Sequence, residues 1–304
     1  MIGSEDESAF NLTTPSGTIF GTLLLPSRPL PVPVALIVAD SGATDRNGNG
    51  PTLQLNMYAK LAYELADCGG IASVRYDKRG ISASHVPGSS ESDMRFDTYA
   101  DDAAAWVAKL RSDERFSRVA IVGHGEGSLV GMLAAQRAPV DAYVSLDGAG
   151  FPMATTLCAQ LQAQLESYPD LAAKVELILA TLANGKSVAA ANVPPELMEL
   201  FRPSVQPYLI SWLKYDPCAE IAKVTAHVTI IAGTNDRQVP IEDGQALAAA
   251  LPSAAFETID GMTHVLTNDP GSTDEEQLSG AYVDAERPLD TSLIRTLTTA
   301  VTAG

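Results

Sequence analysis

The sequence predicts an α/β fold with a mostly parallel central sheet and helices on both faces of that sheet. Short apolar runs that suit strands buried on both faces, such as residues 34–39, alternate with segments whose apolar residues have helical spacing. Gly and Pro separate these segments. The chain has 304 residues, of which 46% are hydrophobic, so it can bury the core that such a fold needs.

Strands and helices are expected to alternate along the chain, which is typical of a parallel sheet. The predicted strands cover residues 18–25, 34–39, 71–75, 119–122, 142–146, 228–231 and 255–259. The predicted helices cover residues 53–66, 96–110 and 128–137. The first strand is expected at an edge of the sheet, because a Pro-rich link over residues 26–33 follows it.

Residues 151–213 form a long helical stretch, punctuated by Pro, between two predicted strands. This stretch is too long for a loop, so we predict a helical cap inserted over the carboxyl ends of the strands. Residues 1–150 and 214–304 then form the core of the molecule. The apolar stripes of the cap suit either its own packing or the wall of an acyl pocket.

The composition narrows the range of partners. The formal net charge of -17 argues against binding to nucleic acid or to anionic membrane surfaces, because both would repel the chain. No apolar run reaches the roughly 18 to 20 residues of a membrane helix. We expect a small-molecule substrate, and an apolar cap surface would suit a homodimer.

The cysteines and the first residues bear on redox state and location. Three widely spaced cysteines without C-x-x-C spacing indicate neither a zinc site nor a disulfide framework. The acidic, polar residues 1–7 differ from a secretory signal, which is basic and then apolar. We expect a cytoplasmic protein, with an exported mature form as the alternative.

The segment GHGEG at residues 123–127 follows a predicted buried strand and opens a predicted helix. A nucleophile elbow of the G-x-S-x-G type needs its two flanking glycines, because side chains there would collide with the backbone of the sharp turn. Gly125 stands where the motif has its nucleophilic serine. The amide of the next residue, Glu126, is the one that donates to an oxyanion in such a turn.

Other chemically suggestive residues also follow predicted strands, where ligands of open α/β sheets bind. Asp236 and His264 come after the elbow, in the chain order of a Ser-Asp-His hydrolase triad. The simpler alternatives are that Asp236 caps a turn and that His264 is a surface residue. The amides of Ser41 and Gly42, in a loop of small residues, could complete an oxyanion hole; a Gly-rich connecting turn is the alternative.

With these residues noted, the chain resembles the α/β-hydrolases, and among them the esterases of the EstD-type group. The segment RYDKRG at residues 75–80 resembles that group's motif after the third central strand, and SGATDRNG at 41–48 resembles its G-S-G-P-T-D-R-D-G loop. YDP at 215–217 also matches. The resemblance runs from about residue 8 to the carboxyl terminus. Ala43 replaces the usual proline, and Gly125 replaces the expected serine.

The resemblance implies the α/β-hydrolase fold and the hydrolysis of carboxylic esters with small or medium acyl groups, without a metal or cofactor. In that scheme Asp236 orients His264, and His264 activates the serine. With Gly125 in place of the serine, we expect the chain to be inactive or strongly impaired. Peptidase, lactonase and thioesterase activities use the same machinery and stay open.

Other side chains are weaker candidates for the missing nucleophile. Ser128 lies in the first turn of the predicted helix and is expected to point away from the elbow tip. Ser41 has no predicted base beside it, and the side chain of Glu126 is expected to leave the turn in another direction. We expect residues 77–79 to form a structural ion network, and His124 to be packed or hydrogen-bonded behind the turn.

Two interpretations of Gly125 follow. In the first, the chain is a serine esterase whose nucleophile was replaced, most simply by design, so that a ligand could be trapped. In the second, it is a natural non-catalytic relative that binds a small acyl or aromatic ligand. A lyase or dehalogenase is a third option, and a dehalogenase would need an aspartate at the elbow.

Overall fold

The computed structural model of the chain describes residues 7–85, 90–269 and 273–303; residues 1–6, to which most of the argument on export refers, lie outside these ranges. The strands are β1 (Glu7–Ala9), β2 (Leu12–Thr14), β3 (Gly17–Ile19), β4 (Gly21–Leu24), β5 (Val32–Val38), β6 (Ala72–Tyr76), β7 (Phe116–His124), β8 (Ala142–Leu146), β9 (His227–Gly233) and β10 (Ala255–Ile259). The α-helices are α1 (Met57–Glu64), α2 (Phe96–Arg111), α3 (Glu126–Arg137), α4 (Met153–Gln164), α5 (Pro169–Ala183), α6 (Met198–Phe201), α7 (Gln206–Leu213), α8 (Pro217–Ile221), α9 (Ile241–Ala250), α10 (Asp274–Ser279) and α11 (Thr291–Thr302).

Within the described ranges, eight strands form one sheet in the order β1-β4-β6-β5-β7-β8-β9-β10. In this order, each neighbouring pair from β6 onward is parallel, and these strands are β6, β5, β7, β8, β9 and β10. The strand β4 pairs antiparallel with both β1 and β6. This arrangement confirms the predicted α/β fold with a mostly parallel sheet. The prediction that residues 18–25 form an edge strand is wrong, because β1 lies outside β4. The three residues of β1 are too few to show a periodic pattern.

The sheet is buried on both faces, as the continuous apolar run of β5 predicts. Val34, Leu36 and Val38 belong to one apolar cluster, together with residues of α2 and α3. The alternate residues Ala35 and Ile37 belong to the cluster on the other face, together with residues of α1 and α11. Successive side chains of a strand point to opposite faces, so both layers of helices pack on the same strand.

The helices α4 to α7 lie between β8 and β9 in the chain and have an apolar cluster of their own. Val175, Leu182 and Phe201 are at its centre and are fully buried or nearly so. The segment also contacts the rest of the molecule through α7, where Trp212 stacks on Phe96 of α2 with ring centroids 5.4 Å apart. Among the described residues, we find no helix with the length and apolarity needed to cross a bilayer.

Candidate active site

The turn between β7 and α3 has the geometry of a nucleophile elbow. Gly125 is the one residue between the strand and the helix, and its φ of 54° and ψ of -119° are rarely adopted by residues with side chains. A Cβ on Gly123 would lie 2.3 Å from the carbonyl oxygen of Gly127, and a Cβ on Gly127 would lie 2.2 Å from that of Val38. Glycine is therefore needed at both flanking positions, as the motif predicts.

The space above Gly125 is filled by the carboxylate of Asp40. This residue lies just beyond the end of β5, next to the elbow at the carboxyl edge of the sheet. A Cβ placed on Gly125 would lie 2.0 Å from Asp40 Oδ1 and 2.5 Å from Asp40 Cγ. A side chain at position 125 and the Asp40 carboxylate therefore compete for the same space. The space that a serine side chain would take in a G-x-S-x-G turn is occupied by the Asp40 carboxylate.

The two oxygens of Asp40 have different partners. Oδ1 accepts a hydrogen bond of 2.8 Å from the backbone amide of Glu126, and Oδ2 lies 3.1 Å from Nε2 of His264. Burial would raise the pKa of Asp40, but the hydrogen bond and the charge of His264, with the Glu126 amide, hold it well below its usual value. Asp40 is therefore a carboxylate at neutral pH.

His264 is held between two carboxylates. Its Nδ1 lies 2.6 Å from Oδ2 of Asp236, and its Nε2 faces Asp40. Burial would lower the pKa of His264, but Asp236 and then Asp40 raise it well above its usual value. The imidazole is thus charged at neutral pH and donates a hydrogen bond to each carboxylate. Oδ1 of Asp236 also accepts hydrogen bonds from the backbone amides of Gln238 and Val239. Asp236 therefore caps its turn and orients the histidine.

A third carboxyl group, Asp147, lies behind this pair. It follows β8, has a φ of 44°, and accepts the amide of Gly233 through Oδ1. Burial, and then the charge of Asp236, raise the pKa of Asp147 well above its usual value. Asp147 was not among the predicted site residues, although its place directly after a buried strand was a usable signal.

The predicted oxyanion residues lie at or beside the elbow, and the Glu126 amide already has a hydrogen-bond partner. The Glu126 amide points into the elbow as predicted, but it donates to Asp40 Oδ1. Ser41 and Gly42 are exposed and line a cavity beside the elbow. The amide of Glu126 is therefore engaged by Asp40, a partner that the sequence did not suggest.

The side chain of Glu126 leaves the turn in another direction, as expected. Its Oε1 accepts a hydrogen bond of 2.9 Å from Lys78, and its Oε2 accepts one of 2.7 Å from the hydroxyl of Tyr208 on α7. Lys78 also donates to the backbone carbonyl of Asp40 at 2.5 Å. One buried ammonium group thus links the side chain of Glu126 to the backbone of Asp40. Since Tyr208 lies on α7, the same contact connects the elbow to the helical segment 151–213.

The remaining candidates have structural partners. Ser128 is buried and hydrogen-bonded to Tyr143 and Ser145, so it does not reach the elbow tip. His124 is hydrogen-bonded to Tyr58 behind the turn, and burial lowers its pKa to about 4. Residues 77–79, expected to form a structural ion network, each make a salt bridge, and their partners are Arg46, Glu126 and Asp102 in that order.

A cavity of about 690 Å³ lies between the core and α7. Ser41, Gly42 and Glu126 form the part of its wall next to the elbow, and Tyr208 and Trp212 line the side formed by α7. The side chain of Asp40 is 19% exposed, whereas that of His264 is 5% exposed. Asp40 is the more exposed of the two, and its chain neighbour Ser41 lines the cavity.

Two groups of three side chains bring potential metal ligands within 4.8 Å of one another: Asp40, His124 and His264, and Asp147, Asp236 and His264. His264 belongs to both groups, and both of its nitrogens are hydrogen-bonded to carboxylates. We therefore interpret the groups as one hydrogen-bonded array around His264. A site without metal or cofactor stays a prediction.

The chain matches a known hydrolase family over most of its length. The family model Hydrolase_4, described as "Serine aminopeptidase, S33", matches residues 49–271. The chain belongs to this family. The chain is also 25% identical over 269 residues to Esterase EstD of Thermotoga maritima, a match that covers 87% of the chain and 62% of the relative. It thus spans less than two thirds of that relative's length.

Solved structures support the fold of this hydrolase. The α/β hydrolase GrgF from Penicillium sp. sh18 superimposes with a TM-score of 0.62 at 17% identity, over 97% of both chains. Est1E from Butyrivibrio proteoclasticus, solved with ferulic acid bound, gives a TM-score of 0.60 at 18% identity, over 96% of both chains. At these identities the likeness shows the fold alone. It confirms the predicted α/β-hydrolase architecture.

Proposed function

We propose that this hydrolase cleaves carboxylic esters with small or medium acyl groups, bound in the cavity between the core and α7. The observation that carries the proposal is the pairing of His264 with Asp236 at the tip of a nucleophile elbow. This pair is the proton-transfer unit of acyl-transfer hydrolases. The similarity to Esterase EstD supports an ester rather than an amide.

The expectation of strong impairment assumed an elbow without a reactive group. That assumption does not hold, because the carboxylate of Asp40 lies where the serine side chain would be. The interpretation of Gly125 as a replaced nucleophile stays a prediction. A Cβ at position 125 would lie 2.0 Å from Asp40 Oδ1, so a serine there requires the Asp40 side chain to move.

The test is hydrolysis of p-nitrophenyl acetate, butyrate and octanoate by the unchanged chain, with the matching p-nitroanilides to detect peptidase-type cleavage. We expect ester hydrolysis that His264→Gln lowers by about 10²- to 10⁴-fold, the usual contribution of a positioned acid or base. His227→Gln is the matched control, because His227 is an exposed residue at the start of β9.

Equal rates for the unchanged chain and His264→Gln on every ester would contradict the proposal. If either protein still bound the acyl products, that result would support the alternative, a non-catalytic protein that binds small ligands.

A further inference from the structure

The Asp40 carboxylate has the position that a covalent catalyst requires. It lies above the single residue of the elbow turn, directly before Ser41, which lines the cavity, and part of its side chain is exposed. Among the described acidic residues around His264, Asp236 and Asp147 are buried behind the imidazole. Asp40 is therefore the carboxylate of this array that a bound ester can reach.

The two oxygens of Asp40 are placed for different tasks. Oδ2 faces Nε2 of His264, so a leaving group expelled from an electrophile at Oδ2 would be close to an acidic proton. Oδ1 accepts the Glu126 amide, which is the oxyanion donor of an elbow. Charge that develops on Oδ1 when a nucleophile attacks Cγ of Asp40 would therefore be stabilised. The site is built for attack on Asp40 itself.

We propose that Asp40 is the nucleophile of this hydrolase and forms an acyl-enzyme anhydride through Oδ2. The assignment rests on the proposed ester hydrolysis and deepens it. The nucleophile thus comes from the end of β5 rather than from the elbow residue, and Gly125 is the residue that leaves room for it.

The reaction balances in two steps. In the first, Oδ2 of Asp40 attacks the ester carbonyl carbon, the carbon–alkoxide bond breaks, and His264 gives its Nε2 proton to the departing alcohol. In the second, neutral His264 takes a proton from water, and the hydroxide attacks Cγ of Asp40. The bond between Cγ and the bridging oxygen breaks, the acid leaves as a carboxylate, and Asp40 loses its proton to solvent.

The alternative assignment is that Asp40 only positions His264, while His264 activates water directly on the ester. The two assignments differ in the destination of the water oxygen. In the anhydride route that oxygen stays in the carboxylate of Asp40, and the product acid takes the original Oδ2. In the direct route the water oxygen goes to the product acid.

The deciding experiment is a single turnover in water enriched in oxygen-18, with the unchanged chain in excess over p-nitrophenyl butyrate, followed by proteolysis and mass spectrometry. We expect one heavy oxygen in the peptide that contains Asp40 and none in the butyrate. The peptide that contains Asp236 is the internal control and stays unlabelled. Protein incubated without ester controls for slow exchange.

The outcomes separate the two proposals. Heavy oxygen in the butyrate, with none in Asp40, would overturn the nucleophile assignment and leave the proposed esterase function intact. Absence of turnover on any ester of the series would overturn the proposed function, and the acyl-enzyme assignment with it.

Discussion

At the scale of single residues, Gly125 meets two separate demands. The backbone conformation at the elbow, with its positive φ, disfavours side chains. A Cβ atom at position 125 would also force the Asp40 carboxylate to shift, because Oδ1 lies 2.0 Å from the position it would take. An ordinary elbow meets the first demand alone and accepts a strained serine. The second demand ties the identity of residue 125 to that of residue 40.

This coupling predicts the result of Gly125→Ser. The new side chain has to displace Asp40 from the Glu126 amide, so we expect a loss of about 1–3 kcal/mol in the free energy of unfolding, the usual cost of overpacking. We also expect no gain in ester hydrolysis. Urea unfolding and the p-nitrophenyl assay measure the two effects. Higher activity at unchanged stability would show that the space above residue 125 is free.

The double variant Asp40→Gly with Gly125→Ser is the matched partner of that substitution. Removal of the carboxylate frees both the space and the Glu126 amide, so the serine should become reactive beside His264. We therefore expect labelling of residue 125 by an alkyl phosphonate in the double variant but not in the single one.

The two carboxylates around His264 also predict the pH dependence of the reaction. Burial alone would lower the pKa of His264, but Asp236 and Asp40 raise it well above 6.5. The proposed first step uses the charged imidazole, so kcat/KM should be flat through pH 6.5 and fall at alkaline pH, as His264 loses its proton. Stopped assays in constant-ionic-strength buffers measure the profile. An ordinary histidine base would instead give a rate that rises with pH near 6.5.

At the scale of elements, the sequence predicted the central strands closely, because buried parallel strands are continuous apolar runs. Residues 142–146 match β8 at both ends, and residues 255–259 match β10. The strand at the sheet edge was harder to predict, because β1 is short and polar. Its pairing with β4 joins two separate segments of the chain and has no local sequence pattern. Pairing of that kind depends on tertiary context.

The residues of the candidate site also divide into those that the sequence could predict and those that it could not. Gly125, Asp236 and His264 could be predicted, because each follows a strand in a known chain order and parallel strands end at one edge of the sheet. Asp40 was not predicted to be a functional residue. Its role depends on which way its side chain turns at the end of β5, and on the absence of a side chain 85 residues further along. Sequence reasoning that treats motifs separately does not reveal such a pair.

At the scale of the whole molecule, three apolar clusters position the array. Two of them fix β5, β7 and β9 in register, so that Asp40, the elbow and Asp236 meet at one edge. The third holds the helical segment 151–213 together, and Tyr208 of that segment is hydrogen-bonded to Glu126. The positions of the acidic residues in the site are thus determined by the packing of the entire fold rather than by one motif.

The most direct test of the central claim is kcat/KM for the best p-nitrophenyl ester at neutral pH, measured for the unchanged chain, Asp40→Asn and Asp101→Asn. Asp101 is an exposed carboxylate on α2 and serves as the control. The account predicts a loss of at least about 10³-fold for Asp40→Asn, as expected for removal of a nucleophile, and little change for Asp101→Asn. An Asp40→Asn variant as active as the unchanged chain would contradict it.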